Sequence, residues 1–384
     1  MKKIHYIGVD DPTMHLFESQ YVTPEGMCYN SYLIEDEKIA VMDTVDPRKT
    51  EEWLEKLAGA LKGRRPDYLV VHHMEPDHAG SIAAFVSAYP ETQVVASQKA
   101  LQMMAQFMEP CPVKNSLAIK EGDTLALGEH TLTFVAAPMV HWPEVMMSYE
   151  SSEHVLFAAD GFGKFGVYDA DPDDWACEAR RYYFNICGKY GTQVSAVLKK
   201  AAGLQIDTIC PLHGPVLEGE KLAEALRLYT IWSAYGVETE GVLVAHASIH
   251  GNTARAAEKF ADILRAKGAK KVVVADLCRD DMAEVIEDAF RMGHLVVAAA
   301  SYDATVFPPM QMFLWKLAAK GYQKRTVGII ENGSWAPTAA RVMKSMIEPM
   351  KDIKLVEPVV TIKSTLKAED MPQMEALADA VLAE

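Results

Sequence analysis

The chain has 384 residues and a formal net charge of −15, and 49% of its residues are hydrophobic. This length suffices for two domains with separate cores, and the acidic balance argues against nucleic acid or an anionic membrane surface as the main partner. The N-terminus turns acidic before any signal-like segment develops, and no apolar stretch could span a bilayer, so we expect a cytoplasmic protein. The six cysteines are far apart, which indicates free thiols rather than a disulfide framework.

The first part of the chain is predicted to contain short strands separated by helices. Strands are predicted at 32–34, 39–42, 68–71, 93–96 and 155–159, with further strands over 113–138 and a short one ending at Pro211. Helices are predicted at 50–61, 79–88, 98–108, over much of 173–203, and at 220–234. Turn residues between strands 32–34 and 39–42 indicate a hairpin.

A dense group of possible metal ligands follows the predicted strand 68–71. It reads His73, Glu75, Asp77 and His78. Alternate residues of an extended segment point to one side, so the first three can converge, while His78 opens the next helix and reaches a second point nearby. Pro76 is expected to hold the intervening turn away from helix. We therefore predict two neighbouring metal ions; the plain alternative is a charged loop after a strand. His72 is interpreted as a structural residue or as an outer partner of the ligands.

Three isolated residues at strand ends can complete such a site. They are His141 in Pro-Met-Val-His-Trp-Pro, Asp160 at the end of Val-Leu-Phe-Ala-Ala-Asp, and His213 between Pro211 and Gly214. Each residue alone is weak evidence for a metal site, because a histidine at a strand end is more often simply hydrogen-bonded. Together with the first group they supply four imidazoles and three carboxylates, enough for two ions if Asp160 bridges them.

From about Gly236 the pattern changes to strict alternation of strands and helices. Strands are predicted at 241–245, 271–275, 294–299, 325–330 and 355–362, and helices at 253–267, 282–292, 309–320, 336–348 and 368–382. Five apolar strands alternating with amphipathic helices predict a doubly wound parallel sheet covered on both faces. We place the domains at 1–237 and 238–384.

The order of the seven ligand-type residues resembles that of the metallo-β-lactamase fold, an αββα sandwich that usually holds two zinc ions. Glu75 stands where the hydrolases carry a second histidine, and a carboxylate there favours iron. This exchange is typical of the flavodiiron proteins, whose pattern the chain resembles over nearly its whole length. The resemblance implies that His73, Glu75 and His141 hold one iron, that Asp77, His78 and His213 hold the other, and that Asp160 bridges them.

The second domain also carries the pattern of a flavin site. A loop at its first strand end reads Ser248, Ile249, His250, Gly251, Asn252 and Thr253 and opens a helix. Backbone N–H groups at a helix N-terminus bind phosphate, and this loop resembles the phosphate loop of flavodoxins. Two later loops occupy the places where flavodoxins hold the isoalloxazine ring: Ser301, Tyr302 and Asp303, then Asn332, Gly333, Ser334 and Trp335. The alternative for Tyr302 and Trp335 is ordinary packing.

The resemblance implies an FMN- and diiron-dependent oxidoreductase that reduces O2 to water, NO to N2O, or both. No donor domain follows the flavin domain in the sequence, so a separate carrier such as rubredoxin is expected to supply electrons. A head-to-tail homodimer, or a dimer of dimers, is expected to bring one chain's flavin to the partner's iron pair. Two alternatives remain: a dizinc hydrolase with a flavodoxin appendage, and an electron carrier whose metal site is only structural.

Overall fold

The computed structural model describes residues 3–383, and the chain divides into two compact units, Met1–Thr230 and Ile231–Glu384. The boundary predicted from the sequence lies a few residues further along. In residues 3–383, no helix combines the length and the apolar composition needed to cross a membrane.

The first unit is built from short strands and seven α-helices among its described residues. Its strands are β1 (Ile4–Tyr6), β2 (Val9–Asp11), β3 (Leu16–Phe17), β4 (Tyr21–Val22), β5 (Met27–Tyr29), β6 (Tyr32–Ile34), β7 (Ala40–Met42), β8 (Tyr68–Val71), β9 (Gln93–Ser97), β10 (Ser116–Ile119), β11 (Thr124–Ala126), β12 (Thr131–Ala136), β13 (Met146–Glu150), β14 (Val155–Phe157), β15 (Thr208–Cys210) and β16 (Leu217–Glu218). Its helices are α1 (Thr50–Leu61), α2 (Pro76–Ala79), α3 (Ile82–Ala88), α4 (Gln98–Phe107), α5 (Trp175–Ile186), α6 (Gly191–Ala201) and α7 (Gly219–Ser233).

Twelve of these strands form two six-stranded sheets that share one apolar core, and the other four form the two-stranded sheets β2-β5 and β3-β4. The sheets have the orders β1-β6-β7-β8-β9-β10 and β11-β12-β13-β14-β15-β16. Met42 and Val70 of the first sheet and Phe134 and Phe157 of the second belong to one buried cluster. Helices lie outside the sheets, as in the pair α1 and α3, where the rings of Trp53 and Phe85 are 5.8 Å apart. The arrangement is the predicted αββα sandwich.

Two predictions near the ligand-rich loop are wrong. The helix predicted at 79–88 is two helices, α2 and α3, and α2 already begins at Pro76. Pro76 therefore starts a helix instead of preventing one, because the first helical position needs no N–H donor and suits the φ of proline. As a result Asp77 is helical and does not continue the extended segment of His73 and Glu75. The sequence analysis also missed β13, whose five residues are all buried.

The second unit alternates strands and helices as predicted. Its strands are β17 (Thr239–Ala247), β18 (Val272–Asp276), β19 (Met292–Tyr302), β20 (Thr305–Val306), β21 (Thr326–Asn332), β22 (Lys354–Leu355) and β23 (Val360–Ile362). Its helices are α8 (Asn252–Ala266), α9 (Met282–Arg291), α10 (Pro308–Ala319), α11 (Ala339–Ile347) and α12 (Met371–Leu382).

The sheet of the second unit has the flavodoxin-like strand order β18-β17-β19-β21, with β22 and β23 sharing the last edge. All these pairings are parallel, and only the short β20 runs antiparallel to β19. The predicted strand 355–362 is interrupted around Pro358, because proline has no N–H group to give to the ladder. Since β17 and β19 lie at the centre, the loops after them share the carboxyl edge of the sheet, where ligands of such folds bind.

Candidate functional site

The first group of candidate ligands gathers beyond β8. Nε2 of His73 lies 3.3 Å from Oε2 of Glu75, and Nε2 of His141 lies 3.0 Å from the same oxygen. Glu75 precedes α2 in extended conformation, so it points to the same side as His73. With Asp160 these residues form a cluster whose ligand atoms all lie within 4.8 Å of one another.

The second group consists of Asp77, His78 and His213. Oδ2 of Asp77 lies 3.3 Å from Nε2 of His78 and 3.2 Å from Nε2 of His213. The two imidazole Nε2 atoms are 3.1 Å apart. Asp77 therefore belongs with the two histidines, and the expectation that it converges with His73 and Glu75 is wrong. Two nitrogen donors bound at about 2.1 Å to one ion and at a right angle are separated by about 3 Å, so the spacing fits a shared ion.

Asp160 lies between the two groups and divides its oxygens between them. Oδ2 is 3.1 Å from Nε2 of His73 and 3.3 Å from Nε2 of His141. Oδ1 is 3.2 Å from Nε2 of His78 and 3.8 Å from Nε2 of His213. The turn that carries Asp160 needs the glycine at 161, because a Cβ there would lie 2.9 Å from the carbonyl oxygen of Ala158.

The electrostatics of the cluster keep Glu75 and Asp160 charged. Burial by itself raises the pKa of Asp160, but the attraction of His73 and hydrogen bonds from the histidines outweigh it and hold the pKa well below its usual range. Glu75 is affected in the same way, and its pKa falls to about 2. Burial lowers the pKa of His141, yet hydrogen bonds to Asp160 and Glu75 raise it to about 9.

The donor set fits hard or borderline cations such as iron. Within residues 3–383 both side-chain oxygens of Asp77 are buried without a hydrogen-bond partner, and those of Asp160 face only the histidine Nε2 atoms, an arrangement that is costly unless a cation binds these oxygens. The donors are imidazoles and carboxylates, which suit iron better than the thiolate sets of closed structural zinc sites. The nearby Cys28 does not change this, because its sulfur accepts the backbone N–H of Gly214 at 2.9 Å.

Outer partners orient two of the histidines. Oε1 of the buried Glu144 lies 2.8 Å from Nδ1 of His73 and also accepts the N–H of Met74 at 2.9 Å. Nδ1 of His213 lies 2.7 Å from the carbonyl oxygen of Cys28. Such contacts leave Nε2 for the ion and fix the ring. Sequence reasoning missed Glu144, because a single glutamate in a loop after Trp-Pro gives no signal of burial.

His72 has a structural place outside both groups. Its Nδ1 is 2.5 Å from Oδ2 of Asp43, and its Nε2 is 2.8 Å from Oγ of Ser148. All three side chains are fully buried. These bonds tie the end of β8 to β7 and β13, and so hold the strand from which the ligand loop departs.

The second unit has a cavity of about 550 Å³ at the carboxyl edge of its sheet. Twelve of the thirteen residues predicted for the flavin line it: Ser248, Ile249, His250, Asn252, Thr253, Ser301, Tyr302, Asp303, Asn332, Gly333, Ser334 and Trp335. Gly251 does not line it; instead it turns the loop into α8 with a φ of 84°, and its N–H donates to Oγ of Ser248 at 3.1 Å. Residues 300, 304, 336, 338 and 364 complete the lining and were not predicted.

Two of the predicted polar side chains are used to build the cavity wall. Oγ of Ser301 accepts the backbone N–H of Thr338 at 2.8 Å, and Thr338 is the residue directly before α11. The amide of Asn332 donates to the carbonyl oxygen of Ser364 at 3.0 Å and accepts its N–H at 3.0 Å. Ser364 escaped prediction because it follows the last strand in a stretch with no pattern of its own.

The aromatic residues of the cavity are exposed. Trp335 is 91% exposed and Tyr302 44% exposed. Ordinary core packing therefore does not explain Trp335, which stands free to contact a planar ligand or a partner. The ring of Tyr302 lies 5.5 Å from that of Phe307, and its exposed part can make the same kind of contact.

Known proteins resemble this chain over its whole length. A family model described as "ODP family beta lactamase" matches residues 27–214. An anaerobic nitric oxide reductase flavorubredoxin of Escherichia coli O1:K1 is 26% identical, over 97% of this chain and 78% of the relative. A rubredoxin:oxygen oxidoreductase from Desulfovibrio gigas superposes with a TM-score of 0.92 at 25% identity, over 99% of this chain and 96% of that one. The flavodiiron protein of Giardia intestinalis superposes with a TM-score of 0.90 at 24% identity, over 100% of this chain and 96% of that one. The chain thus has the fold and the domain order of the flavodiiron proteins, a metallo-β-lactamase-like domain followed by a flavodoxin-like domain.

Proposed function

We propose that the protein is an FMN- and diiron-dependent oxidoreductase that reduces O2 to water, NO to N2O, or both. The observation that carries this proposal is the division of the Asp160 oxygens between two groups of imidazole and carboxylate donors. Relatives are named for each reaction, as a nitric oxide reductase in Escherichia coli and as an oxygen oxidoreductase in Desulfovibrio gigas.

The chain's residues have distinct parts in this scheme. We assign His73, Glu75 and His141 to one iron, Asp77, His78 and His213 to the other, and Asp160 to both. Two adjacent irons supply a place to bind a diatomic gas and electrons from both metals. The anionic set of three carboxylates offsets the positive charge of the ions in a buried site.

Aromatic rings pack around the ligands. The ring of Phe17 lies 5.5 Å from that of His213, and the ring of Tyr182 lies at the same distance. On the other side, the ring of Trp142 stands edge-on to His73 at 5.2 Å. Burial of most of the ligands strengthens the electrostatic attraction between the carboxylates and the cations, and the apolar faces of these rings suit a small uncharged gas.

The flavin belongs in the cavity of the second unit. The N-terminus of α8 and the backbone N–H groups of the loop from Ser248 to His250 would hold its phosphate. The loops that carry Tyr302 and Trp335 would hold its ring. When bound, the flavin would take electrons singly from a carrier and pass them on, and a separate rubredoxin-like protein is proposed as that carrier.

Assembly as a head-to-tail homodimer, or a dimer of dimers, is part of the proposal. Exposed Trp335, Tyr302 and Ile249 at the mouth of the flavin cavity suit burial by a partner chain. A symmetric dimer then makes the contact between one chain's flavin and the partner's metal pair twice. Within residues 3–383 none of the six cysteines forms a disulfide, which agrees with a reducing compartment such as the cytoplasm.

Metal and flavin analysis together with gas consumption tests the proposal. Protein loaded under anaerobic conditions should hold about two irons and one FMN per chain, as the two ligand groups and the single phosphate loop require. Stopped-flow mixing of the reduced protein with O2, and separately with NO, should show turnover of at least one gas. Stoichiometric zinc with hydrolysis and no gas turnover would support the dizinc hydrolase instead.

A further inference from the structure

A second cavity opens beside the flavin cavity and is lined by cations. It has a volume of about 370 Å³ and shares Asn252 with the flavin cavity. Its charged residues are Arg255 and Lys259 from α8 and Lys367 from the segment before α12. We call this set the basic pocket.

The cations of the basic pocket are poorly neutralised by the chain itself. Within residues 3–383, no carboxylate lies within 4.0 Å of the side-chain nitrogens of Arg255 or Lys259; Arg255 donates only to the amide oxygen of Asn252. Nζ of Lys367 is 3.9 Å from the carboxylate of Glu369, which is itself exposed. Arg255 and Lys259 are four residues apart on one exposed face of α8, a like-charge spacing that disfavours the helix. The folded chain tolerates this repulsion without obtaining a compensating ion pair.

The basic pocket lies in a chain that is otherwise acidic. The first unit has 33 acidic and 20 basic residues, whereas the second has 20 acidic and 18 basic residues. An acidic partner is therefore repelled by the chain as a whole. Charges separated by more than about 8 Å are largely screened at physiological ionic strength, so the local cations decide how a partner meets this surface.

The floor of the pocket is apolar. Leu366 and Met371 line it and are half-buried, whereas Lys259 and Lys367 are exposed. An apolar centre with a charged rim is the composition of transient protein interfaces. A site for a small anion is instead expected to have buried donors held by hydrogen bonds, and the lysines here are exposed.

We propose that the basic pocket of Arg255, Lys259 and Lys367 docks the acidic face of the small electron-carrier protein that reduces the flavin. This inference rests on the proposed function, because it assumes that the neighbouring cavity holds the flavin. The shared residue Asn252 places the docked carrier next to the flavin phosphate loop. Charge complementarity gives the pair its orientation and most of its association rate.

Stopped-flow reduction of the flavin by reduced rubredoxin tests the proposal. Lys259→Glu and Lys367→Glu should each lower the second-order rate constant at low salt by roughly tenfold, and should flatten its dependence on ionic strength. Lys259→Arg keeps the charge and should retain the rate. Lys351→Glu, an exposed lysine of the same unit outside the pocket, is the matched control and should change the rate far less.

A second readout separates this inference from the function itself. Dithionite is a small reductant that needs no docking, so gas turnover driven by dithionite should be the same in all four variants and in the parent protein. Loss of dithionite-driven turnover in the parent would contradict the proposed function and not the docking site. An unchanged rubredoxin rate and salt dependence in both charge-reversed variants would overturn the docking proposal. The docking proposal would also be overturned if NADPH bound at the pocket while the rate of flavin reduction by rubredoxin stayed unchanged in the charge-reversed variants. That result would assign the pocket to a small anionic nucleotide.

Discussion

Glu144 and His73 form a buried pair, with Oε1 of the carboxylate 2.8 Å from Nδ1 of the ring. Burial raises the pKa of Glu144, but its bonds to His73 and to the N–H of Met74 lower it overall. The ionised carboxylate thereby holds the imidazole with Nε2 towards Asp160.

Glu144→Ala should therefore lower iron affinity about 10- to 100-fold, the usual effect of losing an outer partner of a metal-bound histidine. Glu144→Gln should lose less, because its amide oxygen can still accept both N–H groups. Competition with a chelator measures the affinity, and Glu109→Gln at an exposed position is the control. Equal affinity in the alanine variant and the parent would show that His73 needs no such support.

Glu75→His should move the metal preference towards zinc and lower gas turnover. The change replaces a hard anionic donor, shared by His73 and His141 at about 3 Å, with a neutral imidazole. Metal analysis after loading with both ions, followed by turnover with O2 and NO, tests it. Flavin content should remain unchanged. Full activity in this variant would contradict the argument from ligand hardness.

Thr253→Ala and Asn252→Asp should weaken FMN binding, the aspartate more strongly. Thr253 is buried and its hydroxyl lies 3.4 Å from the amide nitrogen of Asn332. A carboxylate at 252 adds negative charge at the helix terminus where phosphate is expected, and we expect a loss of roughly tenfold or more. Fluorescence titration of the apoprotein with FMN gives the affinity. Thr239→Ala, at the opposite end of β17, should bind normally, and iron content should be the same in all three.

His130 should stabilise the first unit more at acidic than at alkaline pH. Burial lowers its pKa, but hydrogen bonds to Asp36 at 2.7 Å and to Glu153 raise it above the usual value. Because the pKa of His130 is raised in the folded state, its contribution to the free energy of unfolding is fully present below the unfolded-state pKa of about 6.5. The contribution is lost as the pH rises through the folded-state pKa. The pKa of Asp36 is lowered to about 2, so its own contribution is lost only in strong acid.

The comparison of His130→Asn with the parent by urea unfolding at two pH values tests this. The variant should be less stable at pH about 5, by on the order of 1 kcal/mol, and the difference should shrink at pH about 9. His15→Asn, at an exposed position, should show no such trend. A difference that grows with pH would mean that the ring stabilises the fold in its neutral form.

Arg325 should be essential to the second unit. Its buried guanidinium donates to the carbonyl oxygens of Met292 at 2.7 Å, Tyr235 at 2.8 Å and Gly236 at 2.9 Å, and also to that of Phe290. Arg325→Met leaves these buried carbonyls without donors and should cost about 3 kcal/mol or more. The temperature of flavin release and circular dichroism report the loss. Arg341→Met, at an exposed position, should release flavin at nearly the same temperature as the parent protein. An equally small effect of Arg325→Met would contradict the prediction.

Several features of the structure were predicted from patterns of neighbouring residues in the sequence. The strict alternation after Gly236 indicated a parallel sheet, because each apolar run of strand length is followed by an amphipathic run of helix length. The small and hydroxyl residues from Ser248 to Thr253 marked the first strand-to-helix turn, and the structure places β17 and α8 on either side of it. The spacing of His73 and Glu75 also indicated a shared direction, since side chains of an extended segment alternate.

Short-range periodicity in the sequence by itself determined the doubly wound class of the second unit and the strand-end loops of the flavin cavity. The αββα class of the first unit and the grouping of the seven ligand-type residues were implied only by the resemblance to the flavodiiron proteins. Residue spacing left open how the ligands divide, and the tertiary structure decides it. Pro76 starts α2 and turns Asp77 towards His213, a residue more than a hundred positions away. Glu144, Ser364 and the basic pocket likewise depend on segments that are distant in sequence and carry no pattern of their own. Their roles arise from burial and from proximity in space, and neither is encoded in the spacing of neighbouring residues.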